Sequence, residues 1–130
     1  MRRAASSFEM ARIALISDDE VLRGDMRKLV TERGHSMLAQ PASRSGQMAC
    51  SGEPLDAAFV DLSTSGDGGF AVVVLTRSRM PGTPIAVIDG GRGCASLDRL
   101  AHAVALGADD FMKKPILVSD AADVFDRLGL

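Results

Sequence analysis

Tryptophan and tyrosine are absent from this chain, and phenylalanine occurs only five times. That poverty removes the aromatic platforms on which proteins stack single-stranded bases. Cysteine is nearly missing as well. Cys50 and Cys94 stand far apart in unrelated contexts, which gives neither a disulfide framework nor zinc-ligand spacing. They read as small apolar filler in a reducing compartment, and so as a cytoplasmic protein. No apolar run approaches the length of a membrane span. Arg2 and Arg3 lead into no apolar core segment, so the N-terminus does not read as a secretory signal; residues 1–10 are expected to be a mobile tail. Nor is there an excess of positive charge. Fifteen basic side chains face seventeen acidic ones, a net of -2, and a basic stripe of the kind that grips nucleic acid is not expected.

What is present is enough for one domain. The chain has 130 residues, too few for two ordinary cores. Its 46% hydrophobic and 25% charged residues fit a globular protein and not a disordered one. Short apolar runs alternate with helical spacings throughout. Ile13–Ile16, Ser36–Gln40, Ala57–Val60, Ile85–Ile88 and Phe111–Met112 read as strands, the second stopped by Pro41. Val21, Leu22, Met26, Leu29 and Val30 recur at helical spacing before Gly34. Ser43–Ser51 reads as a weak helix containing Gly46. Phe70–Met80 is long enough for a helix although Val72-Val73-Val74 favours a strand. Leu97, Leu100, Ala101, Val104 and Ala105 share a helical face that ends at Gly107, and Val118–Leu128 is the last helix.

Alternating strands and helices imply a parallel sheet with right-handed crossovers. The expected architecture is an α/β, flavodoxin-like, doubly wound sandwich: five parallel strands in the order 2-1-3-4-5, with helices on both faces. Ligands bind such sheets beyond the carboxyl ends of the strands, where the order reverses. Three chemical features fall at strand ends. Ile13–Ile16 runs into Ser17-Asp18-Asp19-Glu20, Ala57–Val60 runs into Asp61, and the last strand runs into Lys113-Lys114-Pro115. Like charges about 5 Å apart repel by roughly 3 kcal/mol at an effective dielectric near 20. Crowded carboxylates therefore bind a cation or raise a pKa, and an oxygen donor set favours a hard ion such as Mg2+. Each feature also has a plainer reading. Asp18 and Asp19 suit a helix N-terminus, Asp61 a turn, and the lysines a protected sheet edge.

The joint order of acidic pair, lone Asp and Lys-Pro resembles the receiver domain of bacterial two-component response regulators, over Arg12 to Leu128. The resemblance implies a single receiver domain over residues 11–130, a signalling module and not an enzyme. It implies Asp61 as phosphoacceptor, fed by a sensor histidine kinase or a histidine phosphotransfer protein. It implies Mg2+ held by Asp19 and Asp61, by Asp18 through water, and by the backbone carbonyl of Ser63. Lys114, directly before the proline, would contact the phosphoryl group, with a cis Lys114–Pro115 bond; strand alternation turns Lys113 the other way. Phe111 falls on the family's aromatic switch, and is equally a core residue by composition. Output would pass to an unknown downstream protein, or to a second copy of the chain, through Leu97–Leu106, Phe111–Met112 and Val118–Leu128. No membrane or nucleic-acid partner is implied for this domain.

Two departures stand out. Thr64-Ser65 replaces the Met-Pro common in the family, although Gly69 falls on the usual glycine. More consequentially, Asp89 occupies the Thr or Ser switch position. An ionised carboxylate accepts hydrogen bonds and cannot donate one, so Asp89 is expected to swing away, to pair with Lys114 or Arg92, or to face solvent. The leading expectation is a stand-alone phosphoacceptor receiver. The alternative is a degenerate receiver-like binding module that acts independently of phosphorylation. The run Asp89-Gly90-Gly91-Arg92-Gly93-Cys94 reads as a flexible loop. A flavin-binding role fits poorly, because Ser17-Asp18-Asp19-Glu20 repels phosphate. A haloacid-dehalogenase-type phosphatase would need an Asp at Ser63.

Overall fold

The computed structural model describes residues 11–41, 54–63, 68–90 and 97–130. The expected tail, the helix expected over Ser43–Ser51, both cysteines, Thr64-Ser65 and residues 91–96 of the glycine-rich loop lie outside the described residues. In chain order the elements are β1 (Arg12–Ile16), α1 (Glu20–Glu32), β2 (Ser36–Gln40), β3 (Ala57–Asp61), α2 (Gly68–Arg79), β4 (Ile85–Asp89), α3 (Leu97–Leu106), β5 (Asp110–Lys113) and α4 (Val118–Arg127). The five strands form one sheet in the order β2-β1-β3-β4-β5, and every pairing is parallel. The expected topology holds throughout.

Each strand forms for a reason visible in its burial. β1, β3 and β4 lie in the middle of the sheet, and their apolar residues are covered on both faces. This is why they read as unbroken apolar runs and not as alternating patterns. Their pleat separates two cores. Ile13, Leu15, Ala57, Phe59, Ala86 and Ile88 face α1 and α4, where they meet Leu22, Met26, Val30, Val124 and Phe125. Ala14, Ile16, Ala58, Val60, Ile85 and Val87 face α2 and α3, where they meet Val72, Val73, Leu100 and Ala103. Burying one such side chain contributes about 1.5–3 kcal/mol.

The helices follow their apolar spacing with exceptions in three of them. In α3, Ala101, Val104 and Ala105 belong to the expected covered face but are exposed, while Leu100 and Ala103 are buried. In α1, Leu22, Met26 and Val30 are buried, but Val21 is 73% exposed. In α4, Ala121, Val124 and Phe125 are buried while Val118 is 70% exposed. Val21 and Val118 stand in the first turn of a helix, ahead of the stripe that meets the sheet. The β-branched run in α2 is helical: Val72 and Val73 are buried and Val74 is half-exposed. Two adjacent buried residues followed by an exposed one are a helical trace, whereas a strand would alternate. Gly34 ends α1 with φ of 81°, and its N–H bonds the Thr31 carbonyl at 2.9 Å. That left-handed conformation is open to glycine at little cost.

Candidate functional site

The register places three side chains at one edge of the sheet. Asp61 ends β3, Asp89 ends β4, and Lys114 follows β5. Asp61 pairs across with Ile88, and Asp89 with Lys113. The pleat then sorts them. Asp61 shares the face of Phe59, toward α1 and α4; Asp89 shares the face of Val87, toward α2 and α3.

Asp61 is 1% exposed and fully engaged. Its Oδ2 accepts from the Ser17 hydroxyl at 2.6 Å and from Lys114 Nζ at 2.9 Å. Its Oδ1 accepts from the Ser63 amide at 2.9 Å and the Ser63 hydroxyl at 2.5 Å. Lys114 Nζ donates to Asp19 Oδ2 at 2.8 Å and to Ser63 Oγ at 2.8 Å as well. An ammonium has three donors, and all three are used on this cluster. The Lys114–Pro115 peptide is cis, as expected. The amide of Lys114 bonds the Asp89 carbonyl at 3.0 Å. A side chain on Gly90, where φ is 144°, would come within 2.7 Å of that amide nitrogen, so the approach requires glycine. Lys113 is exposed, as strand alternation predicted.

Asp19 does two jobs. Its Oδ1 caps α1, accepting from the Val21 and Leu22 amides at 3.0 and 3.2 Å, while Oδ2 accepts from Lys114. The hydrogen bond from Lys114 is the main cause that holds the Asp19 carboxyl below its usual range, with the Leu22 amide next. Burial pushes the Lys114 pKa down, but its bonds to Asp19 and Asp61 prevail and the pKa rises. The expected repulsion between crowded carboxylates is thus relieved by an internal cation, and of the two outcomes open from sequence, a bound cation or a raised pKa, Asp19 does not show the second. Asp18 is exposed. Among the described residues, no three His, Cys, Asp or Glu side chains converge as a ready metal cage. A groove of about 230 Å³ opens beside Asp19 and Lys114, lined further by Val21, Leu22, Pro115 and Ile116.

Asp89 departs from two of the expectations placed on it, while Arg92, its other expected partner, lies outside the described residues. It is 2% exposed, so it does not face solvent. It does not pair with Lys114, whose three donors go elsewhere. Its Oδ2 instead accepts from Arg99 Nε at 3.0 Å. Arg99 Nη2 donates to the Leu62 carbonyl at 2.7 Å, and the guanidinium lies 5.3 Å from the centre of the Phe70 ring. Phe111, at the expected aromatic switch, is 45% exposed and is not a core residue.

Three participants were not foreseen. Ser17 is fully buried, and its hydroxyl links the Asp19 amide to Asp61. Its position between a buried strand and two acids was the available signal. Ser63 joins through its hydroxyl and its amide, where the expectation concerned only its carbonyl. Arg99 gave no local signal. It could be sought only by asking which cation answers a carboxylate buried at the end of β4.

The sequence matches no protein-family model. It is 29% identical over 126 residues to the transcriptional regulatory protein TcrA of Mycobacterium tuberculosis, covering 97% of this chain and 47% of that protein. The chain spans about half the length of the curated relatives it matches. The structure resembles a CheY-like response regulator receiver domain protein from Methanospirillum hungatei, with a TM-score of 0.78 and 20% identity over 92% of this chain and 94% of that one. It also resembles a response regulator of Burkholderia pseudomallei solved with a phosphorylated aspartic acid, a calcium ion and citrate. There the TM-score is 0.75, with 25% identity over 86% of this chain and 64% of the other. The homologues of this chain are therefore response regulators, and its fold is that of their receiver domain.

Proposed function

We propose that this domain accepts a phosphoryl group on Asp61 from a histidine kinase or a histidine phosphotransfer protein, and signals by protein contact. One observation carries the reading: a buried carboxylate at the carboxyl end of the central strand, held by Lys114 Nζ at 2.9 Å beside Asp19. In the step, an Asp61 oxygen forms an O–P bond as the P–N bond of the phosphohistidine breaks. The departing imidazole nitrogen takes a proton from solvent. Such transfer depends on positioning and on neutralising charge. Lys114 supplies one positive charge, and the Ser17 and Ser63 hydroxyls keep the carboxylate aimed.

A divalent cation would supply the remaining neutralisation. The donor set fits one. Asp19 Oδ2 and Asp61 Oδ2 lie within hydrogen-bond reach of the same ammonium, and hard oxygens of this kind suit Mg2+ with waters completing its shell. Asp19, Asp61 and the Ser63 carbonyl are the residues proposed to hold it, with Asp18 acting through water. The calcium and phosphoaspartate of the Burkholderia protein support this assignment by analogy. The degenerate-module alternative rested on Asp89, which cannot donate, in place of a hydroxyl; the Arg99 guanidinium paired with Asp89 brings N–H donors to that place and speaks against it.

The test is incubation with acetyl phosphate, with and without Mg2+, followed by intact-mass measurement. One phosphoryl group should appear only with the cation, and Asp61→Asn should abolish it. A phosphoryl group that persists in Asp61→Asn would remove this reading.

A further inference from the structure

We propose that Arg99 is the switch group of this protein. In the resting state it clamps α3 to the strand ends through Asp89, and a phosphoryl group on Asp61 competes with Asp89 for its guanidinium. This inference rests on the function proposed above and names the residue that would read the phosphorylated state.

The argument starts from donors and acceptors. At the end of β4 this chain offers a carboxylate, which can only accept. Arg99 supplies N–H donors to the same place from the neighbouring helix. Its two bonds straddle the site. Nε reaches Asp89 on the α2/α3 face at 3.0 Å. Nη2 reaches the carbonyl of Leu62, the residue directly after Asp61, at 2.7 Å. The guanidinium is thus already docked on the backbone that carries the phosphoacceptor. The two partners differ in freedom. The Asp89 side chain is 3% exposed, whereas that of Arg99 is 36% exposed. Asp89 is fixed by its strand; Arg99 is a long side chain at the open edge of a helix.

Modification of Asp61 changes the competition. A phosphoryl group at neutral pH carries about -1.5 to -2 charges and three acceptor oxygens. A planar guanidinium pairs with such a group through two parallel N–H bonds, and its Nε bond to Asp89 is 3.0 Å long. Lys114 cannot answer the added charge alone, since its three donors are occupied. Movement of Arg99 toward Asp61 leaves Asp89 without its clamp and loosens α3. Phe70 moves with it, because the Arg99 guanidinium and the His102 ring both lie against Phe70. Asp89 then serves as the resting-state counter-ion.

The experiment measures amide exchange across Leu97–Leu106 in the full chain, before and after phosphorylation by acetyl phosphate with Mg2+. In the wild type, phosphorylation should raise exchange there by roughly fivefold or more, the lower end of usual coupling between sites. Asp89→Asn, left unphosphorylated, should already show the faster exchange of the phosphorylated wild type. Arg99→Gln, once it carries the phosphoryl group, should show no further change; Arg99→Lys serves if the glutamine variant does not fold. Unphosphorylated Asp89→Asn with wild-type exchange in this helix overturns the clamp. A phosphorylated Arg99 variant that still speeds exchange as the wild type does overturns the reading of Arg99 as switch. A wild type that accepts no phosphoryl group overturns the functional reading and the competition together, while the Asp89→Asn comparison still judges the clamp.

Discussion

Replacing Lys114 by methionine removes a positive charge that Asp19 and Asp61 share, and keeps most of the apolar stem. Three hydrogen bonds of 2.8–2.9 Å disappear at once. Asp61, 1% exposed, keeps the Ser17 and Ser63 hydroxyls but faces Asp19 without an intervening cation. Breaking a buried ion pair by deleting one partner costs about 3–5 kcal/mol. Asp19 is more open than Asp61, so the lower part of that range applies, about 3 kcal/mol. For a domain of this size that is a fall in Tm of roughly 10 °C. The assay is urea unfolding followed by far-ultraviolet circular dichroism, because no tryptophan or tyrosine is available as a fluorophore. Two further signs follow from the same geometry. Millimolar Mg2+ should recover a large part of the lost stability, since a bound cation takes over the missing charge. The acid limb should also soften. Asp19 is held below its ordinary value mainly by Lys114, so the wild type has stability above pH 4 that is lost as pH falls through the depressed pKa. The variant should lose less over that window. A Lys114→Met protein as stable as the wild type without Mg2+, or equally sensitive to acid below pH 4, would refute the assignment of Lys114 as the resident counter-ion.

Further predictions concern single residues. His35 Nδ1 accepts the Ala11 amide at 3.0 Å, and burial, aided by Arg33, lowers its pKa. Stability should therefore fall as pH drops below about 6.5, and the urea midpoint of His35→Asn should change less between pH 7.5 and 5.5. Gly69→Ala should destabilise by about 1–3 kcal/mol despite alanine's better helix propensity, because the added carbon would lie 2.9 Å from the Asp61 carbonyl; a thermal melt at or above wild type would contradict that. Phe125→Ala should cost about 3–5 kcal/mol, since Phe125 is fully buried and packs against Phe59 with ring centres 5.4 Å apart; a smaller loss in urea midpoint would mean the core closes around the gap.

Element order, strand ends and sheet order were legible because burial on both faces writes itself as short apolar runs. Asp61 and Lys114 could be placed from their own neighbours in the chain, since each directly follows a strand residue whose position was clear. Arg99 could not be found that way. Ten residues separate it from Asp89, and only the packing of α3 against β4 brings the two together. The partner of Asp89 was missed for the same reason: a basic partner was sought in Lys114 and Arg92, and the one the structure supplies comes from α3. Val21 and Val118 satisfied the helical spacing yet fell outside the buried stripe, because spacing says which residues share a face and not how far along the helix the sheet extends. Phe111 illustrates the limit for edge strands, where one face of the strand has little to cover it.

The two cores on either side of the sheet are stocked unequally. The layer formed with α1 and α4 holds Phe59, Phe125, Met26, Met112 and several leucines and isoleucines. Among the described residues, the layer formed with α2 and α3 holds as many leucines and isoleucines but has no fully buried phenylalanine or methionine, with Phe70 and Met80 only at its margin. Less apolar area per residue means a smaller free energy for opening locally. Among the described residues, one layer is therefore the stiffer and the other the more yielding, with the boundary running through the sheet itself. A charge change at the strand ends needs to work only against the weaker layer. The α1–α4 layer can stay in place as the anvil, keeping the Asp19–Lys114 groove in register while the opposite helices give way.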